Sequence, residues 1–146
     1  MTTHLVIGDP HCTPHASNER FTWAGRMAKD IGADKIICMG DFASMDSLSS
    51  WDRGKKSFQG RRYRKDIGHA HQALELFNNA MGNHKAEMHM TLGNHEDRID
   101  RMVEDNPELE GAISIDDLDY PSYGWNEYTY RYPVVIDGIH YSHNFP

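Results

Sequence analysis

Residues 5–11 read Leu5-Val6-Ile7-Gly8-Asp9-Pro10-His11, and the same plan returns twice in the chain. Ile36-Ile37-Cys38-Met39 precedes Gly40-Asp41-Phe42, and Met88 to Leu92 precedes Gly93-Asn94-His95-Glu96. Each unit is a short apolar run that stops at a glycine and a ligand-type side chain. Such runs, bounded by turn formers, predict buried strands at 4–9, 35–39 and 87–92. Ligands in α/β sheets gather at the carboxyl ends of strands, so three such tips converge on one site. Asp9, Asp41, Asn94, His11 and His95 bring two carboxylates, an amide and two imidazoles, a set suited to divalent metals.

Between the first two tips, Phe21, Ala24, Met27 or Ala28, and Ile31 recur at helical spacing. Ser17 or Asn18 suits the N-cap of that helix, and Gly32 its C′ position. A strand–helix–strand unit of this length predicts parallel pairing. Residues 42–65, rich in Ser, Gly and Arg, lack a period and read as an excursion. Ile67, Ala70, Leu74, Phe77 and Met81 predict a helix over 66–82, and a further helix runs from Glu96 to about Glu104, ahead of Asn106-Pro107. Residues 108–127 read as irregular and acidic. Tyr128 to Ile136 then alternates aromatic and aliphatic residues, and Asp137-Gly138 leads into Ile139-His140-Tyr141-Ser142-His143, a hairpin signal.

The length of 146 residues predicts a single domain, 1–146. With 22 acidic against 15 basic side chains, the net charge of −7 excludes a general polyanion binder. The charge is uneven, however. Arg53, Lys55, Lys56, Arg61, Arg62, Arg64 and Lys65 follow one another without an acid, interleaved with Phe58 and Tyr63 and preceded by Trp51. That segment reads as a solvated loop, a nucleic-acid contact or a docking surface for a partner protein. No apolar run approaches the roughly 18–20 residues of a membrane span, and no secretory pattern opens the chain, so no membrane contact is expected. Cys12 and Cys38 make too few thiols for a disulfide scaffold, which points to a reducing cytoplasm.

Asp9-x-His11, Gly40-Asp41 and Gly93-Asn94-His95-Glu96, in that order, resemble the motifs of the calcineurin-like metallophosphoesterases. The motif spacing and the run that begins Ser47-Leu48-Ser49-Ser50-Trp51 are similar to the phage and bacterial branch of that family. The resemblance implies an α/β fold, a four-layer α/β/β/α sandwich with mixed sheets. It implies hydrolysis of a phosphate mono- or diester by a hydroxide that bridges two divalent ions, Mn, Fe or Zn, about 3.5–4 Å apart. Asp9 and His11 match the ligands of the first metal, Asp41 the bridging carboxylate, and Asn94 an amide ligand of the second metal that also meets the phosphate. His95 matches an imidazole beside the leaving-group oxygen, a proton donor rather than a ligand. The fourth motif is a histidine for the second metal, with His140 and His143 as candidates. Their odd separation sets them on opposite faces of a strand, and His143, at the tip, is preferred.

The fifth motif of the family, G-H-x-H, has no match among the residues of this chain. The expectation is therefore an incomplete second sheet, weaker metal binding, and self-association or a complementing C-terminal segment. A catalytically weak remnant that binds metal or a partner is the alternative function. Relatives such as the protein Ser/Thr phosphatases carry GD-x-x-D, whose second Asp orients the imidazole. Here Ser44 stands there, with Asp46 out of register, and the Arg of those phosphatases' motif is also missing, which argues against a phosphoprotein substrate. Arg61 and Arg62 of the basic excursion are expected to help bind substrate. His69 and His71 are read as ordinary helix histidines, and His15 as a residue that could line the pocket.

Overall fold

Four short strands lie side by side in chain order and all run parallel: β1 (His4–Ile7), β2 (Lys35–Cys38), β3 (Glu87–Thr91) and β4 (Trp125–Tyr128). This is the arrangement in a computed structural model that describes residues 1–145. Register pairs Ile7 with Cys38 and Cys38 with Met90, so the first three strands end level and their tips share one edge. Parallel neighbours need crossovers. Helix α1 (Glu19–Asp30) joins β1 to β2, and α2 (Tyr63–Met81) joins β2 to β3. Helix α3 (Asp97–Asp105) and three short 3-10 turns lead to β4.

Strand β2 is buried on both faces, which explains its unbroken apolar run. Ile36 and Cys38 join the main core with Phe21, Leu74 and Phe77 of the helices. Ile37 faces the other way, onto Ile136 and Tyr141. Those two belong to a separate antiparallel hairpin of β5 (Val134–Ile136) and β6 (Ile139–Tyr141). Its turn is Asp137-Gly138, with φ of 50° and 80°, the left-handed pair that a two-residue hairpin loop demands. The layers thus run helices, parallel sheet, hairpin. The far face of the hairpin is open, with Val135 55% exposed and its cross-strand partner His140 exposed beside it. No helix among the described residues is long and apolar enough to cross a membrane.

Several boundaries differ from the sequence reading. The run 128–136 is not one strand: Tyr128 ends β4 beside Thr91, and 129–133 turn the chain toward the hairpin. Within the stretch read as irregular, Trp125 to Glu127 pair with β3. Helix α2 begins at Tyr63 inside the basic run, where the Tyr63 hydroxyl donates to Asp117 Oδ2 at 2.7 Å. Asn18 does sit at the N-cap of α1, but its amide donates to the His69 carbonyl and Gln72 Oε1 of α2 instead of its own helix.

Candidate metal centre and active site

The loops after β1 and β2 are zipped together by backbone hydrogen bonds. The His11 N–H donates to the Asp41 carbonyl at 2.9 Å, Cys12 N–H to Phe42 at 2.7 Å, and Ser44 N–H to Cys12 at 2.9 Å. Asp9, His11 and Asp41 all have left-handed φ, 26°, 46° and 49°. Non-glycine residues hold that conformation only where surroundings enforce it, and such strain clusters at functional sites. The loop after β3 closes in from the other side. A Cβ on Gly93 would collide with the Asp41 carboxylate, so the glycine is what allows the two tips to touch.

Glu96 locks this arrangement. It is fully buried, and its Oε2 accepts from the backbone N–H of Asp41 at 3.0 Å and of Gly93 at 2.9 Å. Its Oε1 accepts from the Ala43 N–H and the Tyr120 hydroxyl, both at 3.0 Å. Burial raises the pKa of this carboxyl, and the backbone donors oppose that rise.

Asp41 stands at the centre, itself buried. Its Oδ1 accepts from the His95 N–H at 2.9 Å. Its Oδ2 lies 3.8 Å from His11 Nε2, 3.7 Å from His95 Nε2 and 3.5 Å from His143 Nε2. Asp9 Oδ1 is 3.5 Å from His143 Nδ1. Two groups of three result, His11–Asp41–His95 and Asp9–Asp41–His143, each with ligand atoms within 4.8 Å of one another. Asn94 joins the second through Oδ1, 2.9 Å from His143 Nε2.

The donor set fits divalent ions on a specific ground. His143 Nδ1 donates to the Met39 carbonyl at 2.7 Å, which leaves a lone pair on Nε2 of the neutral ring. That lone pair meets Asn94 Oδ1 and Asp41 Oδ2, both acceptors. With the ring neutral, three acceptor atoms face one another, an arrangement that either a proton on Nε2 or a metal ion among them relieves.

His95 is held differently. Its Nδ1 donates to the Ser44 carbonyl at 2.7 Å, and Arg98 Nη2 approaches its Nε2 at 3.3 Å. Arg98 Nη1 also donates to the Ser44 carbonyl, at 2.9 Å. Burial lowers the His95 pKa, Asp41 opposes that, and Arg98 and His11 add to it. The position that holds a second aspartate in some relatives thus orients the imidazole here through its main-chain oxygen.

Of the residues singled out in the sequence, Asp9, His11, Asp41, Asn94, His95 and His143 come together. His140 is exposed and belongs to neither group. Arg61 and Arg62 are not brought in. Arg61 Nη1 donates to Asp52 Oδ2 at 2.8 Å and to the Asp46 carbonyl at 3.1 Å, and Arg62 is exposed beside His15 on a separate cleft. Asp46 accepts from the Thr13 and Ser44 hydroxyls, both at 2.7 Å. His69 and His71 meet the carbonyls of Ala16 and Asp117, as ordinary helix histidines do. Cys12 is buried and its thiol is pushed up to about 12, so it is no nucleophile at neutral pH. Arg98 and Glu96 were not legible as site residues, although Glu96 closes the third motif.

The sequence matches the family model for calcineurin-like phosphoesterases over residues 2–145. No curated protein sequence matches the chain. The matched span takes in all three strand-tip loops and the hairpin, and members of this family are metal-dependent hydrolases of phosphate esters. The chain belongs to the calcineurin-like phosphoesterase family.

Proposed function

We propose that this chain hydrolyses a phosphate mono- or diester at the strand-tip cluster, with two divalent ions of the Mn, Fe or Zn type. One observation carries the reading: a single buried carboxylate, Asp41, stands between His11 on one side and Asp9 and His143 on the other. Two ions held by Asp9, His11, Asp41, Asn94 and His143 would supply concentrated positive charge and a water acidic enough to attack at neutral pH. Asp41 would offer Oδ2, since Oδ1 already accepts from the His95 N–H. With Oδ1 of Asn94 turned to His143, its amide N–H₂ remains to donate to a phosphate oxygen. His143 is supported over His140 as a ligand by its Nδ1 bond to Met39, which fixes Nε2 toward the cluster.

His95 is better suited to the leaving group than to a metal. Both its nitrogens already have partners, Ser44 O and Arg98 Nη2, whereas His143 Nε2 faces acceptors. General-acid help needs the imidazolium: its Nε2–H, in place of the bond from Arg98 Nη2, would pass to the departing alkoxide and leave the neutral ring bound to Ser44 through Nδ1–H. The free, buried thiols Cys12 and Cys38 suit a reducing compartment such as the cytoplasm.

The test is hydrolysis of p-nitrophenyl phosphate and bis-p-nitrophenyl phosphate with added Mn²⁺, by wild type and by Asp41→Asn. Metal-stimulated turnover that disappears in the variant is expected. Near wild-type turnover in Asp41→Asn sinks the two-ion reading, and metal uptake without turnover in wild type leaves a binding protein.

A further inference from the structure

We propose that the cleft beside Asn94 binds single-stranded nucleic acid and lays it across the strand-tip cluster. The proposal rests on the phosphoesterase reading for the fate of the strand, not for its binding.

The cleft encloses about 290 Å³ and is built from three separate parts of the chain. The excursion after β2 gives Trp51 and Arg53, α3 gives Arg98 and Arg101, and the turn after β4 gives Tyr130 and Arg131. Asn94 lines it too, so the cleft borders the ligand cluster at that residue. The Tyr130 ring lies 6.2 Å from that of His143, which fixes this wall beside the centre.

Its chemistry is that of a strand-binding groove. Four guanidinium groups line it with two carboxylates, Asp97 and Asp105, in a protein whose net charge is −7. Arg98 is held by the Ser44 carbonyl and His95, and Arg101 by the Asn94 carbonyl, which leaves Arg53 and Arg131 for a ligand. Asp97 is already taken by Arg101 Nε at 3.1 Å. Arg53 meets the Met102 sulfur at 3.5 Å, and no carboxylate among the described residues neutralises it. Phosphate oxygens would complete these donors.

Trp51 is the second, independent sign. Its indole is 83% exposed on the wall of the cleft, where it packs no core. On another part of the wall, Arg131 lies over the Tyr130 ring at 5.1 Å. Exposed aromatic faces beside a basic groove stack bases without regard to sequence, since every base has a π-face. The volume is at the small end for ligand pockets, enough for one nucleotide unit and too little for a duplex. A phosphopeptide would use the arginines and leave Trp51 without a partner.

The experiment measures anisotropy of a short fluorescein-labelled oligothymidylate against the whole chain in EDTA, over a range of NaCl. Binding is expected without metal, with log K falling linearly with log salt. Trp51→Ala should weaken it about 5- to 150-fold, and Trp51→Phe should restore most of the loss. Arg53→Ser with Arg131→Ser should flatten the salt slope by roughly 0.7 for each phosphate contact removed. All three positions are exposed, so the variants should melt as wild type does, which is checked. No binding, indifference to Trp51 and Arg53, dependence on Arg62 and Arg64 instead, or preference for a phosphopeptide of equal charge overturns the proposal. Turnover of bis-p-nitrophenyl phosphate by wild type with Mn²⁺ is measured in parallel. Its absence alongside binding removes the hydrolytic reading and keeps the cleft, while turnover without binding does the reverse.

Discussion

An imidazole tied at both nitrogens has one orientation, and His95 is tied to Ser44 O and Arg98. Its contribution should therefore appear in the chemical step. His95→Ala is expected to lower kcat by roughly 10²–10⁴ for alkyl phosphate esters. The loss should shrink for p-nitrophenyl esters, whose leaving group needs no proton. Calorimetric metal uptake should persist, and its disappearance would reassign His95 to the ligand set. Glu96 acts one step further back. Its two oxygens accept four hydrogen bonds, three from the backbone of the second and third loops. In Glu96→Gln an N–H₂ group must face donors on one side, at about 1–3 kcal/mol for each partner left unmade. Because Asp41 is one of the residues clamped, metal affinity should fall together with the melting temperature. A variant with wild-type melting and weaker metal binding would mean that Glu96 acts on charge and not on the loops.

Two helical glycines separate packing from propensity. At Gly25 of α1, a Cβ would collide with the Phe77 carbonyl oxygen of α2 and stand 2.9 Å from Ala80 Cβ. Gly25→Ala should thus cost about 1–3 kcal/mol, because the helices must part. At Gly68 of α2 nothing lies within 4 Å of a new Cβ. There Gly68→Ala should add about 0.5–1 kcal/mol, from helix entropy alone. Urea unfolding of both variants checks the pair, and the same sign for both would refute the account of the α1–α2 seam. The elements legible from sequence were those whose signal is local. The β1, β2 and β3 tips end in glycine, α1 has its apolar period, and Asp137-Gly138 turns as its residue types require. What was missed depends on partners far along the chain. Strand β4 is four residues long, and its place is set by Met88 to Thr91 beside it. Helix α2 gains its first turn where Tyr63 reaches Asp117. At the site, side-chain ligands were readable by type. The Ser44 carbonyl that aims His95 was not, since every residue has one.

At the scale of the whole molecule, the sheet collects lone pairs from four segments at one edge. Asp9, Asp41, Asn94 and His143 belong to parts of the chain up to 134 residues apart in number, and they meet only when β1, β2, β3 and the hairpin are all in place. The unfolded chain has no such cluster, so ions bound there stabilise the fold by mass action. At a free metal concentration of 100 Kd the gain is about 2.7 kcal/mol, which raises the melting temperature by roughly 5–10 °C. Scanning calorimetry in EDTA, then with Mn²⁺ or Zn²⁺, should show that shift, and Asp41→Asn should abolish most of it. The variant should not be less stable than wild type in EDTA, since it loses a carboxylate that faces other acceptors without a cation. Mg²⁺ should shift the transition far less, because it prefers oxygen ligands and gives up water reluctantly, while His11 and His143 offer nitrogen. A shift of equal size with Mg²⁺ and Mn²⁺ would mean that the carboxylates alone hold the ion. His143→Ala then decides: on the arrangement described here it should remove the Mn²⁺ shift, as His143 Nε2 is the atom around which Asn94 and Asp41 gather.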